Sequence, residues 1–205
     1  MYQKFLAEFI GTLTLTFIVI LSLAGIFPIA TPVLAAITIG LFVYSVGHIS
    51  GTHINPAVTI GLWSIKKINT NDALSYIMAQ IFGAATALII GMLMDITYDI
   101  TASSTIMTGL AEMAGMILFT FGIASVVFGN VHKAMSGVVV GTSLFMGIAI
   151  AALMGSNGVL NPAVAVGIKS FSVMYLVGPL VGSVIGMKLY EFVDSSRHHV
   201  PNLRG

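Results

Sequence analysis

Ser50-Gly51-Thr52-His53-Ile54-Asn55-Pro56-Ala57-Val58-Thr59-Ile60-Gly61-Leu62-Trp63 decides how the rest of the chain is read. It opens polar and glycine-rich, passes through Asn-Pro, and turns apolar for too few residues to cross a bilayer. Proline is well placed at the first position of a helix, where its missing N–H costs nothing. The stretch therefore reads as an irregular segment, an Asn cap, and a short helix over 57–64. Gly155-Ser156-Asn157-Gly158-Val159-Leu160-Asn161-Pro162 has the same form and leads into a second short helix over 163–169.

The two stretches belong to a longer repeat. Asn55-Pro56-Ala57-Val58-x-x-Gly61 recurs 106 residues later as Asn161-Pro162-Ala163-Val164-x-x-Gly167. Ala7-Glu8-x-x-Gly11-x-x-x-x-Thr16-Phe17 recurs 104 residues later as Ala111-Glu112-x-x-Gly115-x-x-x-x-Thr120-Phe121. A small difference in loop length accounts for the shift of two.

Around these stretches lie segments that are long and apolar. A spanning helix needs about 20 apolar residues, and 4–26, 33–49, 73–94, 108–129, 136–154 and 172–192 qualify. The composition agrees: 57% of residues are hydrophobic and 7% charged, with a mean hydropathy of +1.03. Soluble domains carry roughly 25% charged residues, so lipid must cover this surface. A backbone in lipid must bond to itself, which restricts spans to helices or closed barrels, and the apolar runs lack the alternation of barrel strands. No small-residue cleavage pattern follows the first segment, which reads as a retained span and not as a signal peptide. The expectation is an all-α membrane protein with six transmembrane helices plus two re-entrant half-helices. It forms one channel domain over residues 1–205, with inverted repeats of three spans each meeting near residue 102.

With six spans both termini share one side. Lys4, Lys66, Lys67, Lys133, Lys188, Arg197 and Arg204 fall on that side and only Lys169 on the other, which predicts cytoplasmic termini in a cell membrane. The net charge of +1 argues against nucleic acid as a partner. Cysteine is absent, so there is no disulfide framework or thiolate metal site, and no metal or other cofactor is implied. His198-His199 is too weak a metal signal to use, and His48 reads as a packing residue. No nucleophile–base pair, catalytic carboxylate pair or ligand cluster points to an enzyme.

Non-helical backbone at membrane depth is tolerated where it lines a water-filled cavity or is buried in protein. Broken helices at matching positions of inverted repeats point to a solute path at the midplane. The stretches 50–54 and 155–160 thus predict a pore lined by backbone of Gly51, Thr52, His53, Ile54, Val159 and Leu160. The half-helices point their N-termini at each other, and each carries roughly half a positive charge. That arrangement opposes cations and protons and leaves neutral solutes alone, with Asn55 and Asn161 offering amide donors. The partners so predicted are the bilayer, water and small neutral solutes.

These residues resemble the major intrinsic protein (aquaporin/aquaglyceroporin) family: the stretch 50–63, the second Asn161-Pro162-Ala163, Ala7-Glu8-Phe9-Ile10-Gly11-Thr12, and Gly178-Pro179-Leu180-Val181-Gly182. The resemblance covers nearly the whole chain and implies a homotetramer with one pore per subunit. Glu8 and Glu112 lie inside spans, where an ionisable residue is a functional hypothesis by default. A proton relay is one reading; the resemblance implies the other, that each acid accepts hydrogen bonds from a re-entrant loop and holds its shape. Gly83, Ala84, Gly182 and Gly186 suit close helix packing.

The resemblance also exposes a departure. The family usually places Arg directly after the second motif, where this chain has Val164. Counted from the two asparagines, the other filter positions are Ala35, Ala149 and Gly158. Ala, Ala, Gly and Val predict a wide, apolar constriction that passes water and larger uncharged solutes such as polyols, urea or neutral metalloid hydroxides. Phe42, Met146 or Met154 swinging into the space would instead restore a strictly water-selective pore. A non-conducting, membrane-organising protein is a further alternative that the short loops disfavour. An ion-coupled transporter would need midplane ligands beyond the two repeat acids.

Overall fold

The computed structural model describes residues 2–195; Arg197, His198, His199 and Arg204 lie outside them. Among the described residues every regular element is helical. The six long helices are α1 (Tyr2–Leu23), α2 (Thr31–Ser50), α4 (Thr70–Leu93), α5 (Ile106–Val127), α6 (Ser136–Leu153) and α8 (Val173–Ser195). Each is long and apolar enough to cross a membrane, α6 together with the turn before it (Lys133–Leu153), since 20 residues rising 1.5 Å each span about 30 Å. The short ones are α3 (Pro56–Ser64) and α7 (Pro162–Gly167), and a 3-10 turn (Lys133–Met135) precedes α6. The bounds of the spans fall within three residues of those read from the sequence.

Local chemistry sets those bounds. Pro32 sits in the first turn of α2, and Gly51 ends the helix in a left-handed conformation (φ 88°) with its N–H on the Gly47 carbonyl. The Asn69 side chain caps α4 by accepting from the Asp72 N–H, and Thr105 caps α5 by accepting from the Thr108 N–H. Both devices satisfy amide groups that the first helical turn leaves unpaired. Within the spans Thr12, Thr38 and Thr120 return their hydroxyls to the carbonyl four residues back, so these polar groups meet no lipid.

The halves interlock. α1 packs on α4 and α2, α5 on α8 and α6, and α2 crosses α6. Each half-helix lies against the last long helix of the opposite half, α3 on α8 and α7 on α4. Glycine permits these approaches: a Cβ on Gly182 would stand 2.5 Å from the Met113 carbonyl oxygen, and one on Gly83 would run into that of Phe9.

Candidate functional site: two half-helices and the cavities on either side

At the centre of the molecule the two half-helices meet cap to cap. The Asn55 Oδ1 accepts from the Ala57 N–H at 2.8 Å, and the Asn161 Oδ1 accepts from Ala163 and Val164 at 3.1 and 3.3 Å. Each amide nitrogen reaches across to the other half. Asn55 Nδ2 donates to the Leu160 carbonyl (2.8 Å) and Asn161 Nδ2 to the Ile54 carbonyl (2.9 Å). Pro56, Ala57, Pro162 and Ala163 behind the caps are buried. The carbonyls of Ile54 and Leu160, read from the sequence as pore-lining backbone, each accept one amide of this cross-link.

The loops leading to the caps are shaped by the two buried acids. Glu8 Oε1 accepts from Ser50 Oγ (2.7 Å) and the His53 N–H (2.9 Å), and its Oε2 from the Ile54 N–H (2.6 Å) and Gln80 Nε2 (2.8 Å). Glu112 repeats the scheme with Ser156 Oγ, the Val159 N–H (3.0 Å) and the Leu160 N–H (2.6 Å). Thr52 and Ile54 are left-handed (φ 54° and 51°), as are their repeat mates Gly158 and Leu160 (φ 65° and 52°). Such a backbone cannot bond to itself, and the acids take up its amides.

The same geometry aims the carbonyls. Among the described residues no peptide bond is cis, and in a trans peptide C=O points opposite to N–H. With the amides of His53 and Ile54 on Glu8, the carbonyls of Thr52 and His53 face away from it. With those of Val159 and Leu160 on Glu112, the carbonyls of Gly158 and Val159 do likewise.

Both sets border a cavity. One cavity of about 480 Å³ is lined by Gly51, Thr52 and His53 and opens beside Lys4, Lys67 and Asn69. The other, also about 480 Å³, runs from Asn55 and Asn161 past Gly158 and Val159 to Asp99–Thr101. The first has mixed walls: Val43, Val58, Leu62, Ile68 and Val140 stand beside the polar groups, among which His53 shares its Nδ1 with Thr59 Oγ1 at 3.1 Å and Tyr76 stands edge-on to its ring at 4.9 Å. The second is apolar, with Leu15, Val19, Ile39, Phe119, Leu144 and Ile168 on its walls and Asp99 its single charged lining residue among the described residues.

Of the four filter positions, Ala35, Gly158 and Val164 border this apolar cavity and Ala149 does not; Ile148 lines it instead. Ile148 follows Leu144 by four residues, so the two share one helix face, whereas Ala149 points about 100° away. Counting twelve back from Asn161 across the turn at Met154–Gly155 lands one residue off. Phe42, Met146 and Met154 stay out of the cavity. Phe42 packs against Gly11, while Met146 and Met154 are exposed on the outer surface.

Several participants are absent from the sequence reading. Ser50 and Ser156 were detectable, being 106 residues apart like the motifs themselves. Gln80, whose amide also donates to Thr59 Oγ1 at 3.0 Å, is a polar residue inside a span, a signal in its own right. Tyr76, whose hydroxyl donates to the Ser50 carbonyl at 2.8 Å, carries no such mark.

Comparison with known proteins gives a consistent result. The sequence profile described as "Major intrinsic protein" matches residues 1–190. The aquaporin AqpM of Methanothermobacter thermautotrophicus is 34% identical over 180 residues, covering 75% of this chain and 72% of that protein. The glycerol uptake facilitator protein-like 6 of Lactiplantibacillus plantarum is 30% identical over 206 residues, covering 89% and 94%. Among solved structures, the aquaglyceroporin from Plasmodium falciparum superposes with a TM-score of 0.78 at 22% identity, over 96% of this chain and 98% of that one.

Proposed function

The chain belongs to the major intrinsic protein family of membrane channels, and from that premise we propose that it conducts water together with small uncharged solutes: polyols, urea or neutral metalloid hydroxides. The observation carrying this reading is the apolar cavity of about 480 Å³ bordered by Ala35, Ile148, Gly158 and Val164, with no basic side chain on its wall among the described residues. A solute with an apolar face loses little there, and its hydroxyl or amide groups meet the carbonyls of Gly158 and Val159. Ions meet a different path. The facing N-termini of α3 and α7 present positive partial charge at the centre, and two carbonyls on otherwise mainly apolar walls are too few to replace a hydration shell. In this reading Asn55 and Asn161 are the central donors, and Glu8 and Glu112 hold the loops. The channel works as a homotetramer in the cell membrane with cytoplasmic termini.

One observation favours the strictly water-selective alternative: Ile148 fills space that alanine would leave open. Stopped-flow light scattering on proteoliposomes decides between the two. Wild type is expected to shrink and reswell in glycerol and urea. Val164→Arg adds bulk and charge to the wall and is expected to slow reswelling about tenfold, an added barrier of about 1.4 kcal/mol. Fast water flux with no reswelling in wild type would overturn the proposal and leave the strict water channel.

A further inference from the structure

The connection between α4 and α5 crosses the outer mouth as an extended strap. Ile96, Tyr98 and Ile100 are half-buried and pack on the core, while Asp95, Thr97 and Asp99 are exposed, the alternation of an extended chain. Its ends are fastened. The Ile96 N–H bonds to the Gly91 carbonyl; Ser172 Oγ donates to the Ser103 carbonyl at 2.8 Å and Thr108 Oγ1 to Ser103 Oγ at 2.7 Å. Between those points, among the described residues, one hydrogen bond ties residues 97–101 to the rest of the chain: Asn157 Nδ2 to the Thr101 carbonyl, at 2.9 Å.

The strap has open space on both sides. In front is the apolar cavity; behind lies a second one of about 310 Å³. Asp99 and Ile100 border both. The Tyr98 hydroxyl, on the rear cavity, is buried without a partner. The strap is therefore a thin wall held by the packing of Ile96, Tyr98 and Ile100 and, beside the re-entrant loop, by the Asn157 bond. Asn157 itself adjoins Gly158 on the re-entrant loop.

We propose that Asn157 is a positioning residue for solute selection, holding the strap so that Asp99 and Ile100 form part of the outer mouth. Without that bond the middle of the strap retreats toward the rear cavity and the mouth widens. The inference rests on the chain being a channel and is independent of which solute it carries.

The cysteine-free sequence makes the test direct. Ile100→Cys introduces one thiol on the half-buried face of the strap and leaves in place the Thr101 carbonyl that accepts the bond. In reconstituted protein, Asn157→Ala and Asn157→Asp, the second keeping the shape and losing the donor, are each expected to speed alkylation of the introduced thiol by a membrane-impermeant maleimide about fivefold. In the native-Ile100 background the same substitutions are expected to raise the permeability ratio of erythritol to urea by a similar factor. A merely structural defect would lower both fluxes together. If one variant does not fold, the other carries both readings. Unchanged alkylation overturns the proposal; faster alkylation in a protein that passes only water keeps the role of the strap and removes the solute reading alone.

Discussion

Glu8→Gln is expected to remove at least about tenfold of the flux from reconstituted protein and to lower its thermal stability sharply, although the substitution changes a single atom. Glu8 is fully buried and takes four donors on two oxygens. An amide turned one way sets its NH2 against the Ile54 N–H; turned the other way, against the His53 N–H. Ser50 can rotate its hydroxyl to accept, and Gln80 can present its unpartnered Oε1, but a backbone N–H cannot adapt. One buried amide is orphaned in either case, at about 1–3 kcal/mol. The loss falls on a loop already strained: Thr52 and the β-branched Ile54 are left-handed, each at a cost of order 1–3 kcal/mol. Glu112→Gln also orphans one amide, Val159 or Leu160, but its loop places Gly158 where the first has Thr52, so a smaller loss of stability is expected. The comparison also separates the two roles open to these acids. A proton relay predicts that Glu8→Gln folds and still passes neutral solutes at the wild-type rate. Flux and thermal unfolding measured on the same preparations distinguish these outcomes.

The residues that could be read in advance have one property in common. Asn55 and Asn161, Glu8 and Glu112, and the span limits announce themselves by residue type against an apolar background, and each half repeats the signal of the other. What could not be read depends on distances through space. Ala149 lost its expected place to Ile148 because a count along the chain cannot register where α6 turns. Pairing of the last long helices was equally hidden. Gly83 sits on Phe9 and Gly182 on Met113, so this part of the repeat is offset by 99 residues, not 104 or 106. On that register Tyr76 corresponds to Tyr175 and Gln80 to Pro179, which explains why Glu112 has no amide partner from α8. The strap was invisible for a related reason: its single tie from Asn157 goes to a backbone carbonyl, for which no residue type is a marker.

Gly147→Val is expected to be the most damaging change that touches neither an acid nor an asparagine. α5 and α6 cross with two glycines in contact. A Cβ on Gly147 would stand 2.6 Å from the Gly115 carbonyl oxygen, and one on Gly115 would run into the carbonyl of Gly147. Neither obstacle is a side chain that could rotate away, so the helices must separate. Overpacking typically costs about 1–3 kcal/mol, and a β-branched residue against backbone belongs at the upper end. The consequence reaches the centre of the channel through Leu160. Its side chain lies over the glycine pair, with Cδ1 3.0 Å from the Gly147 Cβ position, and its carbonyl accepts the Asn55 amide. Pushing Leu160 aside therefore strains the link between the halves as well as the helix crossing. The first half is built alike: a Cβ on Gly11 would meet Ile54 Cγ1 at 2.8 Å, and the Ile54 carbonyl accepts from Asn161. Gly129→Ala provides the contrast, because its Cβ position is open and only its φ of 80° resists, at about 1–2 kcal/mol. Thermal unfolding in detergent should rank Gly147→Val well below Gly129→Ala, with flux lost in the first and retained in the second. Equal behaviour of the two would mean that the helix crossing is loose enough to absorb an isopropyl group, and that the seat of Leu160 does not depend on it.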